Sequence, residues 1–330
     1  MKKPFLSNRV KIVIAACAAL LTMIAVWANR SIPEGSPKFG VTFSKVYAQE
    51  LGLDWRAAYL AVLDDLKVSY IRLPLYWSDI EDLQGKYVWD DYDWMITNAQ
   101  TRGVHLTLAL GAKVPRWPEC FIPDWARTKA GTMDEEALFA YLSRAVQRYS
   151  TSTAVVAWQV ENEANFPFGE CPPPSPTRLK REIDLVRSFD ARPIQLTVSG
   201  ELEPWLPLAV RADQLGYSLY RTTYNSYIGY FRYPLPPAWY ALRSLLIRPW
   251  VPRTIVSELQ AEPWFPEAIG QRPLRDWYDV FTDEDLKENV EFAQQIGASE
   301  VYLWGVEWWY NLAVHGDSRL WDEGKRVFEK

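Results

Sequence analysis

Two short acidic motifs stand out in the 330-residue chain, Glu161-Asn162-Glu163 and Ser257-Glu258. Each closes an apolar, strand-like run, Trp158-Gln159-Val160 before the first and Ile255-Val256 before the second. Two carboxyls brought to one cleft can break a glycosidic bond. One gives a proton to the leaving oxygen while the other meets the charge developing at the anomeric carbon. A separation of about 5–5.5 Å allows a covalent intermediate and net retention. The pair must also differ in pKa, one carboxyl keeping its proton and its partner ionised. Rival chemistries lack residues. His105 and His315 are the only histidines, which argues against a Ser-His-Asp triad or a His-rich metal site. No Gly-rich phosphate motif follows a strand, so neither a metal nor an organic cofactor is expected.

The elements that would carry these motifs alternate regularly from residue 39 onward. Strands are predicted at Phe39–Phe43, Tyr70–Leu75, His105–Leu110, Val155–Val160, Ile194–Val198, Gln214–Leu219, Thr254–Ser257 and Val301–Gly305. Amphipathic helices fall between them, the longest from Glu135 to Tyr149, and the last is expected to be short and weak. Eight units without a reversal predict a closed (β/α)8 TIM barrel of the α/β class rather than an open doubly wound sheet. The Pro-, Tyr- and Trp-rich stretch Tyr220–Arg253 is expected to combine a lid-like loop with the sixth helix.

Active sites of such barrels lie at the C-terminal strand ends. Those ends read Arg72, Lys113, Asn162-Glu163, Glu201, Tyr220, Glu258 and Trp304 to Trp308. Strands four and seven lie on facing sides of the barrel, so both motifs can reach one cleft, and Arg72 would help hold Glu258 ionised. Strict alternation puts Glu161 and Glu163 on one side, leaving both as candidates, and Glu262 competes with Glu258. Seventeen Trp and eighteen Tyr exceed ordinary packing needs. Trp117 and Trp264 are candidates for outer sugar subsites, and Lys113 and Glu307 for polar contacts.

Trp158-Gln159-Val160-Glu161-Asn162-Glu163, followed by Ile255-Val256-Ser257-Glu258, resembles glycoside hydrolase clan A, the group that includes families 5, 39 and 42. The resemblance implies Glu163 as general acid/base and Glu258 as nucleophile. It further implies Asn162 on the sugar 2-hydroxyl and Arg72 beside the nucleophile. Tyr220 would hydrogen-bond the nucleophile, with Tyr217 its competitor, and Trp304 or Trp308 would floor the sugar site. Ser218 stands where several of these families carry His. The activity implied is that of a retaining O-glycosyl hydrolase acting on a β-linked oligo- or polysaccharide. A non-catalytic, membrane-tethered carbohydrate-binding barrel and a transglycosylase using the same residues are the alternatives.

Lys2, Lys3, Arg9 and Lys11 precede an apolar run from Ile12 to Ala28. This predicts a cytoplasmic basic stretch (1–11), a membrane anchor or cleaved signal peptide (12–28), a linker (29–38) and the barrel domain (39–330). The barrel is therefore expected outside the cytoplasm, tethered to the cell membrane by a single pass or secreted. The formal net charge of -5 and the lack of a later basic stripe argue against nucleic acid. In an oxidising compartment Cys120 and Cys171, in loops after adjacent strands, are expected to pair.

Overall fold

The computed structural model describes residues 37–128, 131–267 and 269–329. The expected cytoplasmic stretch, anchor or signal peptide, and most of the linker fall on residues 1–36 and lie outside the described residues. Among the described residues, no helix is long and apolar enough to cross a membrane.

Eight strands form the barrel: β1 (Lys38–Thr42), β2 (Tyr70–Pro74), β3 (His105–Leu110), β4 (Val155–Val160), β5 (Ile194–Ser199), β6 (Gln214–Leu219), β7 (Thr254–Gln260) and β8 (Glu300–Trp304). Their side chains are buried almost throughout, as a parallel sheet covered by helices requires. All neighbours pair in parallel, and the ring closes where Thr42 of β1 lies opposite Trp304 of β8 and Arg72 of β2. The outer helices follow the apolar spacing. Glu135–Tyr149 starts on the Asp134 cap, which accepts from the Ala137 amide, and buries Leu138, Tyr141, Leu142, Ala145, Val146 and Tyr149.

The barrel interior is partly polar. Gln214 donates to Gln195 at 2.8 Å, and Gln195 to Gln159 at 3.0 Å. The same Gln159 oxygen receives Arg72 Nε at 2.7 Å. This ladder crosses the interior from β6 to β2 and fixes the Arg72 guanidinium from below. An unpaired amide group there costs free energy; the ladder leaves one such atom, Gln214 Oε1, and pairs the amide groups that lead to Arg72.

Three expectations are refined. Tyr220–Arg253 contains an antiparallel hairpin, Thr222–Asn225 with Gly229–Arg232, as well as the helix Pro237–Ile247. The end of the chain holds two helices, Val306–Val314 and Arg319–Phe328, where one weak helix was expected. Gly324 masks the second in sequence, but a Cβ there would meet the Trp309 ring at 2.7 Å, so the glycine allows the helix to pack. Finally, β7 runs on to Gln260 beyond a register shift. Tyr217 lies opposite Val256, yet Ser218 lies opposite Glu258, so Ser257 is the extra residue of a bulge. Bulges re-aim side chains, and this one sits immediately before Glu258.

Cys120 and Cys171 form the expected disulfide across the loops after β3 and β4. It closes a span of 51 residues, and the chain-entropy account gives roughly 4 kcal/mol for a loop of that size. The Cys120→Ser/Cys171→Ser variant is expected to melt roughly 10 °C lower. Unchanged melting by calorimetry would show that the bridge adds nothing to stability.

Candidate active site

The mouth at the C-terminal strand ends is organised around Arg72, a fully buried side chain of β2. Its Nη1 donates to Glu258 Oε1 at 2.7 Å, and its Nη2 to Asn162 Oδ1 at 2.6 Å. Tyr220 donates its hydroxyl to the other Glu258 oxygen at 3.0 Å. Tyr217, the competing tyrosine, is buried instead in a stack with Trp205 and Tyr240. Five donors in a fixed fork suit a guanidinium to such a junction better than an ammonium. One buried cation thereby links the two acidic motifs through Glu258 and Asn162.

Backbone conformation separates Glu161 from Glu163. Both have positive φ, +58° and +43°, as do Arg116 and Glu119 in the loop after β3, at +92° and +73°. Such non-glycine conformations are strained and concentrate at functional sites. They break the alternation assumed from sequence. Glu161 turns to the preceding loop and accepts from the Ala112 and Lys113 amides at 3.1 and 2.6 Å. With Glu182, Arg178 and the Pro172–Pro174 wall it lines a cavity of about 280 Å³ outside the mouth. Glu163 turns inward and accepts from the Ser218 hydroxyl at 2.7 Å. Its amide donates to Thr197 Oγ1 at 2.9 Å, and Lys113 Nζ donates to its carbonyl at 3.2 Å. Lys113 thus braces the Glu163 loop.

Burial, and then the neighbouring Glu258 and Glu119 carboxylates, push the Glu163 carboxyl well above the usual carboxylate range. Glu258, by contrast, has a guanidinium at 2.7 Å. The two acids therefore sit in opposite electrostatic surroundings.

Glu119 was not singled out in the sequence. Its carboxylate accepts from Asn162 Nδ2 at 3.0 Å, and burial followed by the Glu258 charge raises its pKa to about 7. Relative to an ordinary glutamate at 4.5, the folded chain here keeps a proton that the unfolded chain releases. Its contribution to stability is accordingly present below pH 4.5 and falls as pH rises from there to about 7. Glu119→Gln can still accept from Asn162 through its amide oxygen. Its stability is expected to drop less between pH 5 and 8 than that of the parent, by an amount on the order of 2 kcal/mol read from melting curves at the two pH values. Parallel melting curves would exclude this proton.

The aromatic candidates separate into three groups. Trp117 is exposed and approaches Phe168 at 6.1 Å; Phe168 in turn approaches Trp264 at 6.2 Å, and Trp264 meets Tyr220 edge-on at 5.5 Å. These rings span the mouth from the loops after β3 and β4 to the loop after β7. Trp304, at the end of β8, lies 4.2 Å from the Arg116 guanidinium. Trp308 does not reach the mouth: it is fully buried, edge-on to Phe265 at 5.2 Å, because its helical position turns it inward. Trp309 is also buried and donates to the Ala261 carbonyl.

Glu262 and Glu307 both pair with Arg116 rather than standing free, and Glu307 also accepts from the Ser44 amide. Arg116 was missed in sequence, as was Ser218 as a partner of Glu163. Among the described residues no group of three or more His, Cys, Asp and Glu side chains is arranged to hold a metal.

The chain is similar in fold to a β-galactosidase from the psychrophilic Marinomonas ef1, with a TM-score of 0.56 and 14% identity over 88% of this chain and 59% of that one. A β-galactosidase from the Antarctic haloarchaeon Halorubrum lacusprofundi gives 0.56 and 15% over 88% and 57%. An exo-β-1,4-mannosidase from Opitutaceae bacterium strain TAV5 gives 0.54 and 14% over 82% and 51%. The chain thus spans between 51% and 59% of the length of these three proteins. The barrel implied by the clan A resemblance is the fold they share with it. No family model and no curated protein matches the chain.

Proposed function

We propose that this chain is a retaining glycoside hydrolase acting on a β-linked glycan, with Glu163 as general acid/base and Glu258 as nucleophile. The observation that carries the reading is the unequal setting of two carboxyls in one mouth. Glu258 is ion-paired to Arg72 at 2.7 Å, while burial and neighbouring negative charge favour the protonated form of Glu163. In the first step Glu163 protonates the leaving oxygen as Glu258 attacks the anomeric carbon. In the second, Glu163 takes a proton from water, which displaces Glu258 from the sugar. Asn162, held by Arg72, Thr197 and Glu119, is positioned to meet the sugar 2-hydroxyl. Tyr220 holds the second oxygen of Glu258 so that Oε1 and Oε2 are not equivalent. The glycosidase names of the proteins that share this fold support the substrate class. The disulfide supports an extracytoplasmic setting, as does the basic and apolar N-terminus.

The test is covalent trapping. Incubation with a panel of activated 2-deoxy-2-fluoro β-glycosides is expected to leave one glycosyl group on Glu258, located by peptide mass. A chain that hydrolyses glycosides without such an adduct, or that carries it on Glu262, would overturn the assignment.

A further inference from the structure

We infer that the cleft is walled off at its glycone end and removes one terminal sugar per event, with Arg116, Glu262 and Tyr47 meeting that sugar's hydroxyls. The inference rests on the retaining-glycosidase reading and adds to it the mode of attack and the residues that set it.

Arg116 lies in the loop after β3 but does not stay over that strand. Its guanidinium lies against the Trp304 ring of β8 at 4.2 Å and the Tyr47 ring, after β1, at 3.9 Å. It is ion-paired to Glu262, beyond β7, and to Glu307, beyond β8. The loop therefore crosses the mouth above β2 and β1. Beneath it Tyr76, after β2, is fully buried and donates to Ser44 Oγ at 2.6 Å, with the Pro115 carbonyl 3.0 Å away. The Ser44 amide donates to Glu307. These contacts form one continuous wall over the β8–β1–β2 sector.

The position of the wall gives it meaning. Glu163 protonates the leaving oxygen, so the leaving group lies on the β4 side. In an eight-strand ring β8 stands opposite β4, and the wall is therefore at the far end, where a longer non-reducing chain would have to continue. The open side carries Trp117, which is 59% exposed, together with Phe168 and Trp264.

One polar atom in this wall, Arg116 Nε, is buried without a partner, and beside it the Tyr47 hydroxyl and the Glu262 carboxylate face one another within hydrogen-bonding reach. Arg116, Glu262 and Tyr47 come from the segments after β3, β7 and β1 and together present a free donor beside a hydroxyl–carboxylate pair. An unpaired buried donor of this kind is costly, and adjacent hydroxyls of a terminal sugar ring would supply its missing partner and share the Tyr47–Glu262 pair. A chain extended at those hydroxyls would meet the wall instead.

The test uses the full chain in detergent with end-labelled β-linked gluco-, galacto- and manno-hexasaccharides and the matching aryl monoglycosides. Early products are expected to be monosaccharides from the non-reducing end only, and the aryl monoglycoside of the same sugar is expected to be cleaved. Tyr47→Phe removes the hydroxyl that faces Glu262; it is expected to lose roughly 3- to 10-fold in kcat/KM on the monoglycoside, with its melting temperature measured alongside to show that the fold is kept. Arg116→Ala, where it folds, is expected to release longer fragments. Early internal cleavage by the parent overturns the walled cleft and leaves the glycosidase reading standing. Unchanged kinetics for Tyr47→Phe removes that residue from the sugar contact. Neither turnover nor an adduct on Glu258, with the chain folded, overturns both readings.

Discussion

Glu258→Gln is expected to lower kcat by roughly 10⁴- to 10⁶-fold, the range seen when a nucleophile is removed from a catalytic unit. The amide preserves shape and still accepts from Arg72 and Tyr220, which hold the carboxylate at 2.7 and 3.0 Å. The fold should survive, and stopped turnover would then report chemistry rather than collapse. Removing the negative charge also removes one of the influences that raise Glu163 and Glu119. Glu258→Ala should regain turnover with added azide, which can fill the vacated space and attack from the same face to give an inverted glycosyl azide. Activity of Glu258→Gln within tenfold of the parent on an aryl glycoside would contradict its role as nucleophile.

Glu163→Ala should lose roughly 10²- to 10⁴-fold on substrates with poor leaving groups, the span typical of general acid/base assistance. Dinitrophenyl glycosides, whose leaving group needs no proton, should lose far less in the first step. The pH profile should change in a defined direction. Glu163 is active as an acid only while protonated, and its raised pKa extends that form toward neutral pH. Parent activity is thus expected to fall on the alkaline side as Glu163 ionises, and the variant should lack that limb. Equal losses on good and poor leaving groups would point to a positional defect.

The barrel and the places of the two acidic motifs were legible in sequence for one reason. Short buried strands alternate with helices of clear period, and each acidic motif sits where an apolar run stops. The choice between Glu161 and Glu163 came from the clan A resemblance alone, because strand alternation cannot make it: it depends on positive φ at both residues, and nothing in their types announces that. Arg116 and Glu119 lie in an irregular loop, where neither periodicity nor strand position predicts direction. Gln159, Gln195 and Gln214 read as polar interruptions of strands until the barrel closes and joins them into a ladder. Trp308 follows the last strand closely enough to suggest a sugar floor, but the helix that starts at Val306 rotates it into the core. The sequence signal was strongest where one element decided the outcome, and weakest where three or four loops meet.

Gly305 lies between β8 and that helix, with φ at +133°. A Cβ there would come within 2.6 Å of Glu262 Cβ and 2.9 Å of the Ala261 carbonyl oxygen. Tolerance to change is therefore uneven around the mouth. A position with no functional group of its own is as constrained as the acids, because any side chain would drive the end of β8 away from the segment carrying Glu262. In a mutational scan scored by activity, residue 305 should stand out as intolerant even to alanine, and second-site suppressors should map to the Ala261–Glu262 backbone rather than to Glu163 and Glu258.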